Sequence, residues 1–137
     1  MSLARVLLAD DNVMARLTLQ TLLEAGGYRV DSAASAAEAM EKLDTDEYDL
    51  VLTDREMESP DSGLRVLAHA RTMEYEPATA LINTESDQDE QSTKRPTLVA
   101  PEDVPGLLGK VADLISRRAT RQVSRDLQVI RDLRMAG

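Results

Sequence analysis

Five apolar runs alternate along the chain with stretches of helical spacing. Arg5–Ala9 (RVLLA) and Tyr48–Thr53, with Leu50-Val51-Leu52 at its centre, are continuous rather than alternating, as in strands covered on both faces. Tyr28–Ala34 is a weaker strand, Ala78–Ile82 follows Pro77, and Thr97–Val99 is brief. Between the first two runs, Val13–Ala25 places Met14, Leu17, Leu22 and Ala25 at helical spacing, with Asn12 as a cap and Gly26-Gly27 as the stop. Ser35-Ala-Ala-Glu38 is a capping box for a helix running through Ala39, Met40 and Leu43. After the polar loop Arg55–Ser62, which contains Pro60, Gly63–Met73 predicts a third helix with Leu64, Leu67 and Ala68 inward. The order βαβαβαβ(α)βα predicts an α/β protein: a doubly wound, five-stranded parallel sheet with right-handed crossovers.

Two segments stand apart from this alternation. Glu85–Thr93 (ESDQDEQST) is almost wholly polar, so a helix there is expected to be short or absent. The last helix, capped by Asp103 with Pro105 in its first turn, is expected to be long. Leu107, Leu108, Val111, Leu114 and Ile115 would cover the sheet, and a domain helix has reason to stop near Ser116. Instead Arg117–Met135 has no Gly or Pro, and a stripe of Ala119, Val123, Leu127, Ile130 and Leu133 or Arg134 continues as a short coiled-coil seam. The expected division is residues 1–116 as a domain and 117–137 as a helical extension. That extension would serve self-association, such as a homodimer, or connection to an output domain absent from this chain.

Charge sharpens the division. Residues 1–115 carry 10 Lys/Arg against 23 Asp/Glu, a net of −13, whereas residues 116–137 carry 6 Arg against 2 Asp, a net of +4. An acidic body argues against duplex DNA as its partner. With three tyrosines as the only aromatics, a base-stacking surface is also not supported. No cysteine is present and His69 is the single histidine, which excludes disulfides, thiolate sites and a multi-histidine metal site and argues against a Ser-His-Asp triad. No apolar run has membrane-spanning length and no signal pattern opens the chain, so a cytoplasmic protein is expected.

The candidate chemistry lies where the apolar runs end. LLADDN (Leu7–Asn12) and LVLTDRE (Leu50–Glu56) stop abruptly at Asp10, Asp11 and Asp54. Ligands of parallel sheets bind beyond the carboxyl ends of the strands, so these acids fall on the functional edge. Three adjacent carboxylates repel one another; they must take up protons or bind a cation. Oxygen ligands without His or Cys favour a hard ion, and Mg²⁺ is the natural one. A carboxylate beside such an ion can also act as a nucleophile towards phosphorus.

With these residues in place, the chain from about Leu3 to Ser116 resembles the receiver domains of two-component response regulators, which have a flavodoxin-like fold. Ala9–Asp11 (ADD) resembles the family's Mg²⁺-holding acidic pair, and Tyr48–Asp54 (YDLVLTD) the strand that ends in the phosphoacceptor. The resemblance implies Asp54 as the acceptor of a phosphoryl group. It implies Thr84 as the hydroxyl that senses that group, and the Glu56 backbone carbonyl as a further Mg²⁺ ligand beside Asp10, Asp11 and Asp54. It also implies a histidine kinase or phosphotransfer protein as the phosphoryl donor, and a switch rather than an enzyme with a diffusible substrate. Gly63-Leu64 matches the start of the family's third helix.

The sequence departs from the family in three places. The Lys of the usual Lys-Pro is replaced in Ala100-Pro101, which weakens neutralisation of phosphoryl charge unless Lys94 or Arg95 substitutes. The loop after Asp54 has an inserted residue, so that Glu58 follows Met57 while Pro60 and Gly63 come one position late. The aromatic of the fifth strand is missing near Thr97. These departures keep a second reading open, a pseudo-receiver that binds proteins without switching by phosphorylation. A hydrolase of the haloacid-dehalogenase type would need a DxD after the first strand, which LLADDN lacks. A flavin site would need a Ser/Thr/Gly-rich phosphate loop there.

Overall fold

The computed structural model describes residues 3–82, 97–98 and 104–136. Five parallel strands form one sheet in the order β2-β1-β3-β4-β5: β1 (Arg5–Ala9), β2 (Arg29–Ala33), β3 (Leu50–Asp54), β4 (Ala78–Ile82) and β5 (Thr97–Leu98). Four strands have full length, and β5 contributes the pairs Leu81↔Thr97 and Ile82↔Leu98. The helices are α1 (Val13–Ala25), α2 (Ala36–Thr45), α3 (Ser62–Arg71) and α4 (Val104–Ala136). The doubly wound α/β expectation is met. The expected short or absent helix over Glu85–Thr93, the Asp103 cap and Val99 lie outside the described residues.

Strand alternation divides the core into two layers. Val6, Leu8, Leu50, Leu52, Ala80 and Ile82 point to one face, where Leu19 and Leu23 of α1 and Leu107 and Val111 of α4 cover them. Leu7, Ala9, Val51 and Leu81 point to the other, against Ala36, Ala39 and Leu43 of α2 and Val66, Leu67 and Ala70 of α3. Apolar residues at consecutive positions are therefore all buried, which is why β1 and β3 read as unbroken apolar runs.

The helix faces differ from expectation in two places. In α1, Leu19 and Leu23 are buried and Leu22 partly so, whereas Met14 and Leu17 are 72% and 51% exposed and Ala25 is exposed. The segment LTLQTLLEA has apolar residues on several sides, and tertiary packing selected a face that spacing alone left ambiguous. In α3, Ala68 is exposed, Leu64 is partly buried, and Val66 and Ala70 join Leu67 inside.

Helix ends follow the sequence more closely. The Asn12 side chain accepts from the Ala15 N–H at 2.9 Å, and Ser35 Oγ from the Glu38 N–H at 3.1 Å. Glu38 does not close the box on Ser35; its carboxylate accepts instead from the Ala34 N–H, one residue earlier, at 2.6 Å. Gly27, at φ +97°, takes the left-handed conformation that ends α1.

α4 runs unbroken across position 116. Its first turns bury Leu107 and Val111 against the sheet, and polar contacts with the body continue further. Arg118 donates to the Glu76 carbonyl (2.9 Å), the Tyr75 carbonyl (2.6 Å) and Asp49 Oδ1 (2.9 Å). Gln122 also reaches the Tyr75 carbonyl at 3.3 Å, and Arg125 pairs with Glu76. Beyond these contacts, Val123, Leu127, Ile130 and Leu133 are 50–69% exposed. Among the described residues, no helix is long and apolar enough to cross a membrane.

Candidate functional site

Strand β1 lies between β2 and β3, so the connections leaving the carboxyl ends of β1 and β3 depart to opposite faces of the sheet. A crevice opens at such a switch point. Asp10 and Asp11 follow β1 there, and Asp54 ends β3. One oxygen from each of the three carboxylates lies within 4.8 Å of the others.

Each acid is held differently. Asp10 is fully buried. Its N–H donates to the Ala33 carbonyl, its Oδ1 accepts from the Asn12 N–H at 3.0 Å, and its carbonyl accepts from Arg16 at 2.7 Å. Its Oδ2 is buried with no hydrogen-bond partner. An orphaned buried carboxylate oxygen costs free energy unless a proton or cation meets it. Asp11 is exposed at the rim. Asp54 is half-buried between them.

Protonation reports the same crowding. Burial first, and then the Asp10 charge, raise the Asp54 carboxyl to about 6, against the opposing pull of the Glu56 and Arg55 N–H groups. Burial also raises Asp10, and the Asp11 charge adds to it while the Asn12 N–H opposes. Two neighbouring acids that resist ionisation, one with an oxygen lacking any partner, fit a hard divalent cation. Asp10, Asp11 and Asp54 are the residues that would hold it.

The end of β3 is braced from behind. Gly63 packs so closely on it that an added Cβ would lie 2.1 Å from the Asp54 carbonyl oxygen, and the Gly63 N–H donates to the Arg55 carbonyl at 2.9 Å. Thr53 Oγ1 donates to the same Asp54 carbonyl at 2.9 Å. The loop with the inserted residue is anchored as well: both Glu58 oxygens accept from the Ala36 N–H at 3.0–3.1 Å, tying the loop to the start of α2. Glu56 is exposed. Spacing did not reveal Asn12 and Arg16 as holders of Asp10, nor Gly63 as the packing partner of Asp54. A glycine at the predicted start of α3 was the one available signal. Thr84, Lys94, Arg95, Ala100 and Pro101 lie outside the described residues.

Residues 6–96 match the response regulator receiver domain. The chain belongs to this family. Among curated relatives, receiver sequence is shared with a gliding motility regulatory protein of Myxococcus xanthus, 40% identical over 78 residues, which are 57% of this chain and 10% of that protein. The sensory/regulatory protein RpfC of Xanthomonas campestris is 32% identical over 129 residues, 88% of this chain and 17% of that protein. The chain thus spans between a tenth and a sixth of these relatives. Among solved structures, the response regulator TrrA of Thermotoga maritima, in complex with Mg²⁺-BeF, superposes with a TM-score of 0.70 at 27% identity. That match covers 82% of this chain and 99% of that one. The receiver fold of the family is therefore the fold of this chain.

Proposed function

We propose that this receiver accepts a phosphoryl group on Asp54 from the phosphohistidine of a histidine kinase or phosphotransfer protein, with Mg²⁺ held by Asp10, Asp11, Asp54 and the Glu56 carbonyl. The observation that carries the reading is the convergence of three carboxylates, one of them with a buried oxygen that has no partner (Asp10 Oδ2), at the switch point of the sheet. An Asp54 oxygen attacks phosphorus, the P–N bond to the donor imidazole breaks, and that nitrogen regains its electron pair and takes a proton from solvent. Bound Mg²⁺ would supply positive charge to the transferring group. The Arg55 and Glu56 N–H groups favour the ionised form of the attacking carboxylate, and Gly63 keeps its strand end in place. Membership of the family, and the Mg²⁺-BeF complex of a relative, support the same reading.

Thr84 is the proposed sensor of the product, and the output is a changed protein interface. With Ala100 where the family has Lys, that coupling rests on fewer charges. The segment 117–137 is the proposed route of output, by pairing with a second copy through Val123, Leu127 and Ile130 or by joining an output domain. Intact mass after exposure to Mg²⁺ and acetyl phosphate tests the reading. One added phosphoryl group, absent from Asp54→Ala, is expected. A folded protein that gains none would be a pseudo-receiver.

A further inference from the structure

At the end of the sheet opposite the acid cluster, beside an acidic patch of Asp44, Asp46, Glu47 and Glu74, lies a group of arginines. A cleft of about 410 Å³ opens where the turn entering β4 meets α4. Its lining holds four guanidinium groups and one carboxylate: Arg71 at the end of α3, Arg117, Arg121 and Arg125 of α4, and Glu76. Pro77 and Leu114 add an apolar wall.

The cluster is costly in isolation. Arg117, Arg121 and Arg125 are four residues apart on one helix face, a spacing at which like charges repel. Arg117 pairs with Asp113 at 3.0 Å and Arg125 with Glu76. The cleft walls are fixed. Arg118 joins α4 to the turn through the carbonyls of Tyr75 and Glu76, and to the residue before β3, Asp49. Glu76 itself sits at φ +44°, a left-handed conformation uncommon for a residue with a side chain. The residue with the left-handed backbone is thus the one whose carboxylate pairs with Arg125 at the rim of the cleft.

We propose that this cleft is a second anion site, which takes a small oligophosphate, with two or more linked phosphoryl groups, in competition with the Glu76 carboxylate. Guanidinium forks match phosphate oxygens bidentately, and all four cations are arginines. From Arg117 to Arg125 the helix rises roughly 12 Å, a span along which linked phosphoryl groups meet successive guanidiniums. The volume lies in the range of small-molecule sites. Linked phosphoryl groups carry more charge per unit length than the carboxylates of an acidic peptide, which suits a row of arginines along one cleft.

The test is calorimetric titration of the full chain with tripolyphosphate and with pyrophosphate, at constant ionic strength in EDTA, so that no metal bridges phosphate to the acid cluster. One saturable site is expected. Arg121→Gln should weaken it at least fivefold, and Glu76→Gln should tighten it severalfold. Arg131→Gln, the same charge change on the exposed outer part of α4, should leave it within twofold. The proposal is overturned by the lack of saturable binding, by equal weakening in Arg121→Gln and Arg131→Gln, or by tighter binding of poly-glutamate than of tripolyphosphate. Should Arg121→Gln fail to fold, Glu76→Gln decides alone: unchanged affinity overturns the site.

Discussion

Gly63 and Asp54 show how much of the site depends on single atoms. A methyl group at position 63 would meet the Asp54 carbonyl oxygen at 2.1 Å and the Arg55 backbone at 2.7 Å, neither of which can rotate away. Gly63→Ala is therefore expected to cost about 2–4 kcal/mol, at the upper end of overpacking, and to weaken Mg²⁺ binding. Urea denaturation and a Mg²⁺ titration measure both; a variant as stable as the parent would contradict the packing argument. Asp54 makes the opposite case. Its carboxyl is raised from 3.8 to about 6 by burial and the Asp10 charge, so the fold favours its neutral form. The destabilisation is absent below about pH 4, grows between about 4 and 6, and is complete above. In EDTA, Asp54→Asn should thus stabilise the protein by about 1–2 kcal/mol at pH 8 and by almost nothing at pH 4. A gain independent of pH would contradict this origin. The acids were legible because each ends an apolar run, whereas Asn12 and Arg16 carry no pattern that marks them as partners of Asp10.

Among the elements, β1 and β3 were the most legible, since a strand buried on both faces leaves an unbroken apolar run. α1 had readable ends, Asn12 and Gly27, but its inward face was misread because Met14 and Leu17 are as apolar as Leu19 and Leu23. Contacts of long sequence separation were not legible at all. Arg118 reads as one basic residue of an arginine-rich tail, yet it bonds to Asp49, 69 positions away, and to Tyr75 and Glu76. Its side chain is only 11% exposed. Arg118→Ala leaves the half-buried Asp49 and two carbonyls without this donor, at an expected cost of about 2–3 kcal/mol. Chemical denaturation checks the loss, and amide exchange in 117–125 should rise with it. Unchanged exchange there would mean that α4 is held without this anchor.

At the scale of the whole molecule, the acidic body and basic helix divide the surface, and the outer half of α4 carries an apolar seam facing solvent. A helix of that length gains little stability from propensity alone, so covering the seam is favourable. The proposed pairing of two chains predicts concentration-dependent self-association by sedimentation, lost in Ile130→Glu; a monomer at all concentrations would remove it. The fold as a whole was readable because alternation of runs and helices is a global pattern. The acceptor's chemistry is the central claim, and a direct test is to treat the protein with acetyl phosphate, with and without Mg²⁺, and to reduce it with borohydride. That reaction converts an acyl phosphate of aspartate to homoserine, which peptide mass spectrometry locates. Homoserine at position 54 that depends on Mg²⁺ is the predicted result. Homoserine at Asp10 or Asp11, or at no position in a folded protein, would contradict the account.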